Sequence, residues 1–166
     1  MIVKLRPYTV SDLDELVRHA DNWNVARNLS DGFPHPYPRS KGQEFINMAM
    51  SKDPLEIFAV EVDGKFAGSI GFRPDTDIDR MNAELGYWIA EPYWGKGVAT
   101  EAIKQMVAYT FQNFALLRLY ARPFGHNLAS QRVLQKAGFV LEARFKNTFI
   151  KNGELTDELI YAVRKS

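Results

Sequence analysis

Leu85-Gly-Tyr-Trp-Ile-Ala-Glu-Pro-Tyr-Trp-Gly-Lys-Gly-Val-Ala-Thr100 is a β-prone run that passes through a glycine-bearing turn into the start of a helix. Tyr87, Trp88 and Ile89 favour an extended strand, and Pro92, Gly95 and Gly97 break the regular structure after it. Over residues 97–113 the positions Ala102, Ile103, Met106, Val107 and Tyr109 predict a long helix with one apolar face. The first turn of any helix leaves amide N–H groups without partners and carries the positive end of the helix dipole. Glycines beside it remove side-chain bulk, so an anion can approach those amides closely. The turn therefore reads either as an anion cradle or as a tight connection in which Gly95 and Gly97 serve only backbone geometry. It is neither a Gly-x-x-x-x-Gly-Lys-Ser/Thr loop nor a Gly-x-Gly-x-x-Gly fingerprint.

Upstream, residues 57–62 and 65–72 are apolar, β-prone runs joined by Asp63-Gly64, the signature of a hairpin with a tight primed turn. Residues 81–90 predict the next strand. Residues 2–6 predict a first strand ended by Pro7, and Ser11-Asp-Leu-Asp14 has the pattern of a capping box opening a helix through residue 20. Residues 21–39 read as irregular, broken by Gly32, Pro34, Pro36 and Pro38, and are aromatic through Trp23, Phe33, His35 and Tyr37. Ser40 is placed to cap a second helix carrying Phe45, Ile46, Ala49 and Met50. Downstream, residues 117–121 predict a strand, residues 128–137 a helix ended by Gly138, and residues 140–150 and 155–163 a hairpin around Asn152-Gly153. No repeat, low-complexity tract or linker interrupts the chain, so residues 1–166 are expected to form one domain.

Composition narrows the function. There is no cysteine, which excludes a disulfide scaffold, a thiolate zinc site and a cysteine nucleophile. His19, His35 and His126 show no metal-ligand spacing, so no metal is expected. The net charge of +1 lacks the basic excess of a nucleic-acid binder. The most apolar helical stretch carries Glu101, Lys104, Gln105, Gln112 and Asn113, which argues against a membrane span. A soluble, cytoplasmic protein is the expectation.

A second segment gives the glycine turn its meaning. Asn127-Leu-Ala-Ser-Gln-Arg-Val-Leu-Gln-Lys-Ala-Gly-Phe139 predicts a short amphipathic helix with Ala129, Val133, Leu134 and Ala137 facing inward and Asn127 near Ser130 at its start. Asn127 is equally a plain N-cap. Together the two segments resemble the GCN5-related N-acetyltransferase superfamily. Residues 94–99 resemble its Gln/Arg-x-x-Gly-x-Gly/Ala loop, with Trp94 in place of the polar residue. Residues 127–139 resemble its Asn-x-x-Ser/Ala-x-x-x-Leu/Tyr-x-Lys-x-Gly-Phe stretch. Leu5-Arg-Pro7, Ser11-Asp-Leu13, Glu84-Leu-Gly-Tyr-Trp88, Tyr93-Trp-Gly-Lys-Gly97, and Gly153 with Asp157-Glu158 and Tyr161 are similar to the ribosomal-protein N-terminal acetyltransferase (Rim-type) branch.

The resemblance implies an α/β (α+β) domain with a mixed, mostly antiparallel twisted sheet of about six to seven strands, splayed at a central parallel pair and flanked by about four helices. It implies acetyl-CoA as cosubstrate and an amine acceptor, with the protein a monomer or homodimer. Trp88, Ile89 and Ala90 would offer backbone groups to pantetheine. The amides of Gly95, Lys96, Gly97, Val98, Ala99 and Thr100, after Trp94, would bind the pyrophosphate. Asn127 would hold the pantetheine arm, and Lys96, Arg132 and Lys136 are either phosphate partners or solvated cations.

Glu84 is the candidate base, with pairing to an arginine or a solvent-facing position as its alternatives. Ser130 is a candidate proton donor to the leaving thiolate, or a helix-start hydrogen bonder. Trp23, Asn24, Arg27, Phe33 and Tyr37 would line the acceptor groove, or pack their loop down. A protein N-terminal α-amine is the first-choice acceptor, before a polyamine, amino sugar or amine-bearing antibiotic. A noncatalytic acyl-CoA-binding domain is the second class.

Overall fold

The computed structural model describes residues 1–166. Its strands β1 (Val3–Arg6), β2 (Ile57–Val62), β3 (Lys65–Pro74), β4 (Asn82–Ile89), β5 (Arg118–Ala121), β6 (Val140–Lys151) and β7 (Glu154–Arg164) form one sheet. The order across the sheet is β1-β2-β3-β4-β5-β7-β6, and only β4 and β5 run parallel. The helices are α1 (Leu13–Ala20), the single-turn α2 (Trp23–Ala26), α3 (Arg39–Ser51), α4 (Val98–Asn113) and α5 (Leu128–Lys136).

The two hairpins form where their turn residues require. Asp63 and Gly64 have φ of 49° and 83°, and Asn152 and Gly153 have 52° and 77°, the paired positive values of a primed turn whose twist matches the strands. Three local expectations need correction. The acid that folds back onto the first helical segment is Asp12, whose carboxylate accepts the Thr9 N–H, so the box lies two residues earlier than Ser11–Asp14. Ser40 is not a cap, because α3 already starts at Arg39 after Pro38. Within the aromatic stretch, Asn22 accepts the Asn24 N–H and opens α2.

Apolar residues cover both faces of the sheet. On one face Ile103, Met106 and Val98 of α4 and Leu134 of α5 pack on Leu85, Ile89, Leu119 and Phe72. On the other, Leu13 and Leu16 of α1 and Ile46 and Ala49 of α3 pack with Tyr8, Phe66 and Trp88. The α5 side departs from the expected pattern in one respect: Ala129 is exposed, and Leu134 is the buried anchor.

The parallel pair is short. Asn82, Ala83 and Glu84 face Arg118, Leu119 and Tyr120, and pairing then stops. β5 stays with β7 instead: beyond Ala121, Leu159 N–H donates to Pro123 O and Gly125 N–H to Asp157 O. A backbone edge can satisfy one neighbour at a time, so β4 and β5 diverge and open a gap. On the far side β4 is held close to β3, where a Cβ on Gly68 would overlap the Trp88 carbonyl. Gly68→Ala is therefore expected to lower unfolding free energy by about 1–3 kcal/mol in a urea titration. Gly86→Ala, whose Cβ would meet nothing within 4 Å, should change it by less than about 0.5 kcal/mol.

Candidate acetyl-transfer site

The edge of β4 that faces the gap is set by the antiparallel ladder. Asp75 N–H donates to Asn82 O and Ala90 N–H to Ala67 O, so every second residue of β4, through Trp88 opposite Ser69, turns its backbone polar groups toward β3. Of the residues between them, Leu85 still completes the last pair with β5 at Glu84 and Tyr120, and Tyr87 and Ile89 beyond it turn theirs toward the gap. Of the three residues expected to offer backbone groups there, Ile89 turns its N–H that way, its carbonyl being taken by the Trp94 indole. Trp88 and Ala90 are committed to β3, and Tyr87 is the other residue whose backbone groups face the gap. Side chains alternate as well: Leu85, Tyr87 and Ile89 lie on the α4–α5 face, whereas Glu84, Gly86 and Trp88 lie on the α1–α3 face.

The strand then enters the glycine turn. Trp94 donates its indole N–H to Ile89 O at 2.7 Å and so fastens the turn to the end of β4. This is what a tryptophan does at the position where the resembling pattern has a polar side chain. Gly95 and Gly97 adopt φ of 72° and 79°, and a Cβ at either would meet nothing within 4 Å. Glu101 N–H donates to Gly97 O, the first bond of α4. The six preceding amides, residues 95–100, donate to no protein acceptor. Lys96 is exposed, 6.0 Å from the Tyr93 ring centre, and enters no ion pair. An open cradle of amides at a helix start suits a pyrophosphate.

Across the gap, Asn127 caps α5 by accepting the Ser130 N–H at 3.2 Å, which leaves its side-chain NH2 free. Ser130 Oγ is hydrogen-bonded to the Tyr87 phenol, a contact from β4 to α5. Burial pushes the pKa of the Tyr87 phenol up to about 12. Arg132 and Lys136 are exposed on α5 and lie in no ion pair.

On the opposite face Glu84 is bound by two arginines. Arg73 reaches Oε1 at 3.1 Å, and Arg122 reaches Oε2 at 3.0 Å and Oε1 at 3.4 Å. Arg122 also bridges to Glu158 at 3.3 Å and lies 5.6 Å from the Phe149 ring centre. The two arginines thus make three contacts with the Glu84 carboxylate.

The aromatic stretch closes over the same face. Phe33 packs on Trp88 with ring centres 5.6 Å apart. Tyr37 is only 6% exposed and belongs to the core, so it packs the loop down rather than lining a groove. Trp23 is 37% exposed, and Asn24 donates to Glu91 Oε2 at 2.9 Å. Arg27 is exposed and unpaired. The β6–β7 hairpin completes the wall. Lys151, with an 11% exposed side chain, pairs with Asp31 at 3.0 Å and lies 5.9 Å from the Trp23 ring centre. His126 Nε2 lies 3.1 Å from Asn28 Oδ1. Trp23, Phe33, Pro34, His35, Asp31 and Lys151 together line a cavity of about 290 Å³. Sequence reasoning does not find Tyr87, Arg73, Arg122 and Lys151 as site residues, since each acts through a partner far away in the chain.

The acetyltransferase (GNAT) domain profile matches residues 3–140. The chain belongs to the GNAT acetyltransferase family. It is an acetyl-CoA-dependent N-acetyltransferase. Among its relatives, the uncharacterized N-acetyltransferase YnaD of Bacillus subtilis is 37% identical over 162 residues, 96% of this chain and 91% of the relative. The spermidine N(1)-acetyltransferase of Escherichia coli K12 is 30% identical over 158 residues, 92% of this chain and 80% of the relative. With several other Bacillus subtilis N-acetyltransferases the match spans about half of the relative's length. The fold is shared with RimL, a ribosomal L7/L12 alpha-N-protein acetyltransferase solved with coenzyme A, at a TM-score of 0.85 and 19% identity over 98% of this chain and 93% of that one. No helix is long and apolar enough to cross a membrane.

Gly97→Glu puts a carboxylate beside the open amides. Calorimetric titration is expected to show acetyl-CoA affinity reduced on the order of tenfold or more, about 1.4 kcal/mol, while circular dichroism keeps the helical signal. Unchanged affinity would remove the amide cradle from the cofactor site.

Proposed function

We propose that this acetyltransferase modifies the α-amine of a protein N-terminus, as in the Rim-type branch. The donor, acetyl-CoA, suits the gap: residues 95–100 would bind its pyrophosphate, with Lys96, Arg132 and Lys136 as free cations beside it. The β4 edge at Tyr87 and Ile89 and the free amide of Asn127 would hold pantetheine by strand-like hydrogen bonds. Ser130 would then lie near the thiol sulfur. The acceptor would enter on the Glu84 and Gly86 face, between the aromatic loop and the β6–β7 hairpin.

One observation carries the choice of acceptor: Glu84, Glu158 and Asp31 are each already bound to a cation. A polyamine needs carboxylates free to meet its charges, and these are engaged. An α-amine carries a single charge and has an unperturbed pKa of about 7.7–8.0, so a useful share is neutral near pH 7. A polyamine or lysine amine, with a pKa of about 10.4, depends more on a base.

Glu84 is the base in this reading, working through a water. A carboxylate offers about four lone-pair sites, and the arginines occupy three. The fourth can take a proton relayed from the amine as it attacks the thioester carbon. Glu84→Gln is expected to lower kcat by about 100-fold or more while calorimetric affinity for acetyl-CoA is kept. An unchanged kcat would instead remove Glu84 from the proton path.

A panel of N-terminal peptides and small amines, with CoA release as the readout, tests the acceptor. Turnover of peptides with free α-amines is the expected result. Turnover of spermidine and of no peptide overturns it in favour of the polyamine reading, which the 30% identity to the E. coli spermidine enzyme supports.

A further inference from the structure

We infer that Tyr87 is a positioning residue for the leaving group, acting through Ser130 as a two-hydroxyl pair that spans the gap. The inference rests on the acetyl-transfer reading of the same site. Tyr87 projects from the unpaired edge of β4 between the core residues Leu85 and Ile89, and its phenol meets Ser130 Oγ in the first turn of α5. The two elements that diverge to make room for a thioester are thus rejoined by one side-chain hydrogen bond. The serine backbone is fixed independently, since its N–H is held by Asn127 Oδ1 at 3.2 Å.

The direction of the Tyr87–Ser130 bond is set by acidity. A phenol is a far stronger acid than an aliphatic hydroxyl, so the phenol donates and Ser130 Oγ accepts. Burial keeps the Tyr87 proton in place well above neutral pH. With its oxygen accepting from Tyr87, Ser130 has its own proton free to point elsewhere, and no other protein acceptor claims it. Leu134, one turn further along α5 and fully buried, has no proton to give.

In the transfer, the amine nitrogen bonds to the thioester carbon and the carbon–sulfur bond breaks, leaving its electron pair on sulfur. Ser130 O–H donates a hydrogen bond to that sulfur. Tyr87 O–H, donating to Ser130 Oγ, polarises the serine hydroxyl and strengthens its donation. The proton lost by the amine passes through a water to Glu84, which returns it to solvent, and the thiolate takes its proton from solvent after it leaves. Neither hydroxyl changes its net protonation over the cycle.

The test compares Tyr87→Phe, Ser130→Ala and the double variant by kcat, KM and calorimetric affinity for CoA, with thermal melting as the check on fold. Tyr87→Phe is expected to lower kcat about tenfold or more with CoA affinity kept. The double variant should be no slower than Ser130→Ala, because the phenol acts only through the serine. Site-specific 3-fluorotyrosine at position 87 keeps the ring and the bond while making the phenol more acidic. It should keep kcat at or above the wild-type value where Tyr87→Phe loses it, with CoA affinity unchanged in both.

Wild-type kcat in Tyr87→Phe, losses that multiply in the double variant, or a fluorotyrosine variant as slow as Tyr87→Phe overturns the role of Tyr87 alone. A wild-type chain whose CoA release is raised by no amine in the panel overturns the acetyl-transfer reading, and this inference with it.

Discussion

β5 can pair its backbone with β7 or continue along β4, and it keeps β7. After three residue pairs with β4, its continuation is drawn aside by the Leu159–Pro123 and Gly125–Asp157 hydrogen bonds. Everything at the site depends on that divergence. It exposes one edge of a central strand, where backbone amides and carbonyls would otherwise be consumed by a neighbour. It also separates the starts of α4 and α5, so that two helix N-termini face one opening.

Three contacts keep the opening from being a mere defect. Trp94 ties the glycine turn to Ile89, Asn127 caps α5, and Tyr87 reaches across to Ser130. Each bonds at a place where regular pairing has just ended. On the opposite face the same strand presents Glu84, Gly86 and Trp88, so β4 contributes side chains to both of its surfaces. The aromatic loop is held over that side by Phe33 on Trp88, by Lys151 with Asp31, and by His126 with Asn28. Lys151 is the most buried charged group of that clasp, and its pairing leaves the loop few ways to rearrange without exposing an unpaired charge.

Much of this is legible in the chain itself, for reasons that are local. Asp63-Gly64 and Asn152-Gly153 specify primed turns because those residues tolerate positive φ, and the apolar spacing of residues 98–113 specifies a one-faced helix. The glycines at 95 and 97 and the pair Asn127 and Ser130 are joined into one site by the family resemblance. Smaller boundaries depart from the local pattern where a competing bond is available: Asp12 with Thr9 displaces the capping box expected at Ser11, and Pro38 starts α3 before Ser40 can cap it. Tyr37 lies in the core rather than the groove, and an aromatic in an irregular stretch carries no sign of which way it turns.

By itself, the sequence determined the main strands and helices and the glycine turn before the long helix, since each rests on local geometry or spacing; the link between that turn and residues 127–139 came from the family resemblance. Only the tertiary structure decided which residues of β4 face the gap, that Glu84 lies between Arg73 and Arg122, and that Tyr87 is bonded to Ser130 rather than simply buried. The reason is physical: hydrogen-bond alternation in a sheet is set by register with a partner strand. Ion pairs between residues 38 positions apart, such as Glu84 and Arg122, exist only after the chain has brought those strands together.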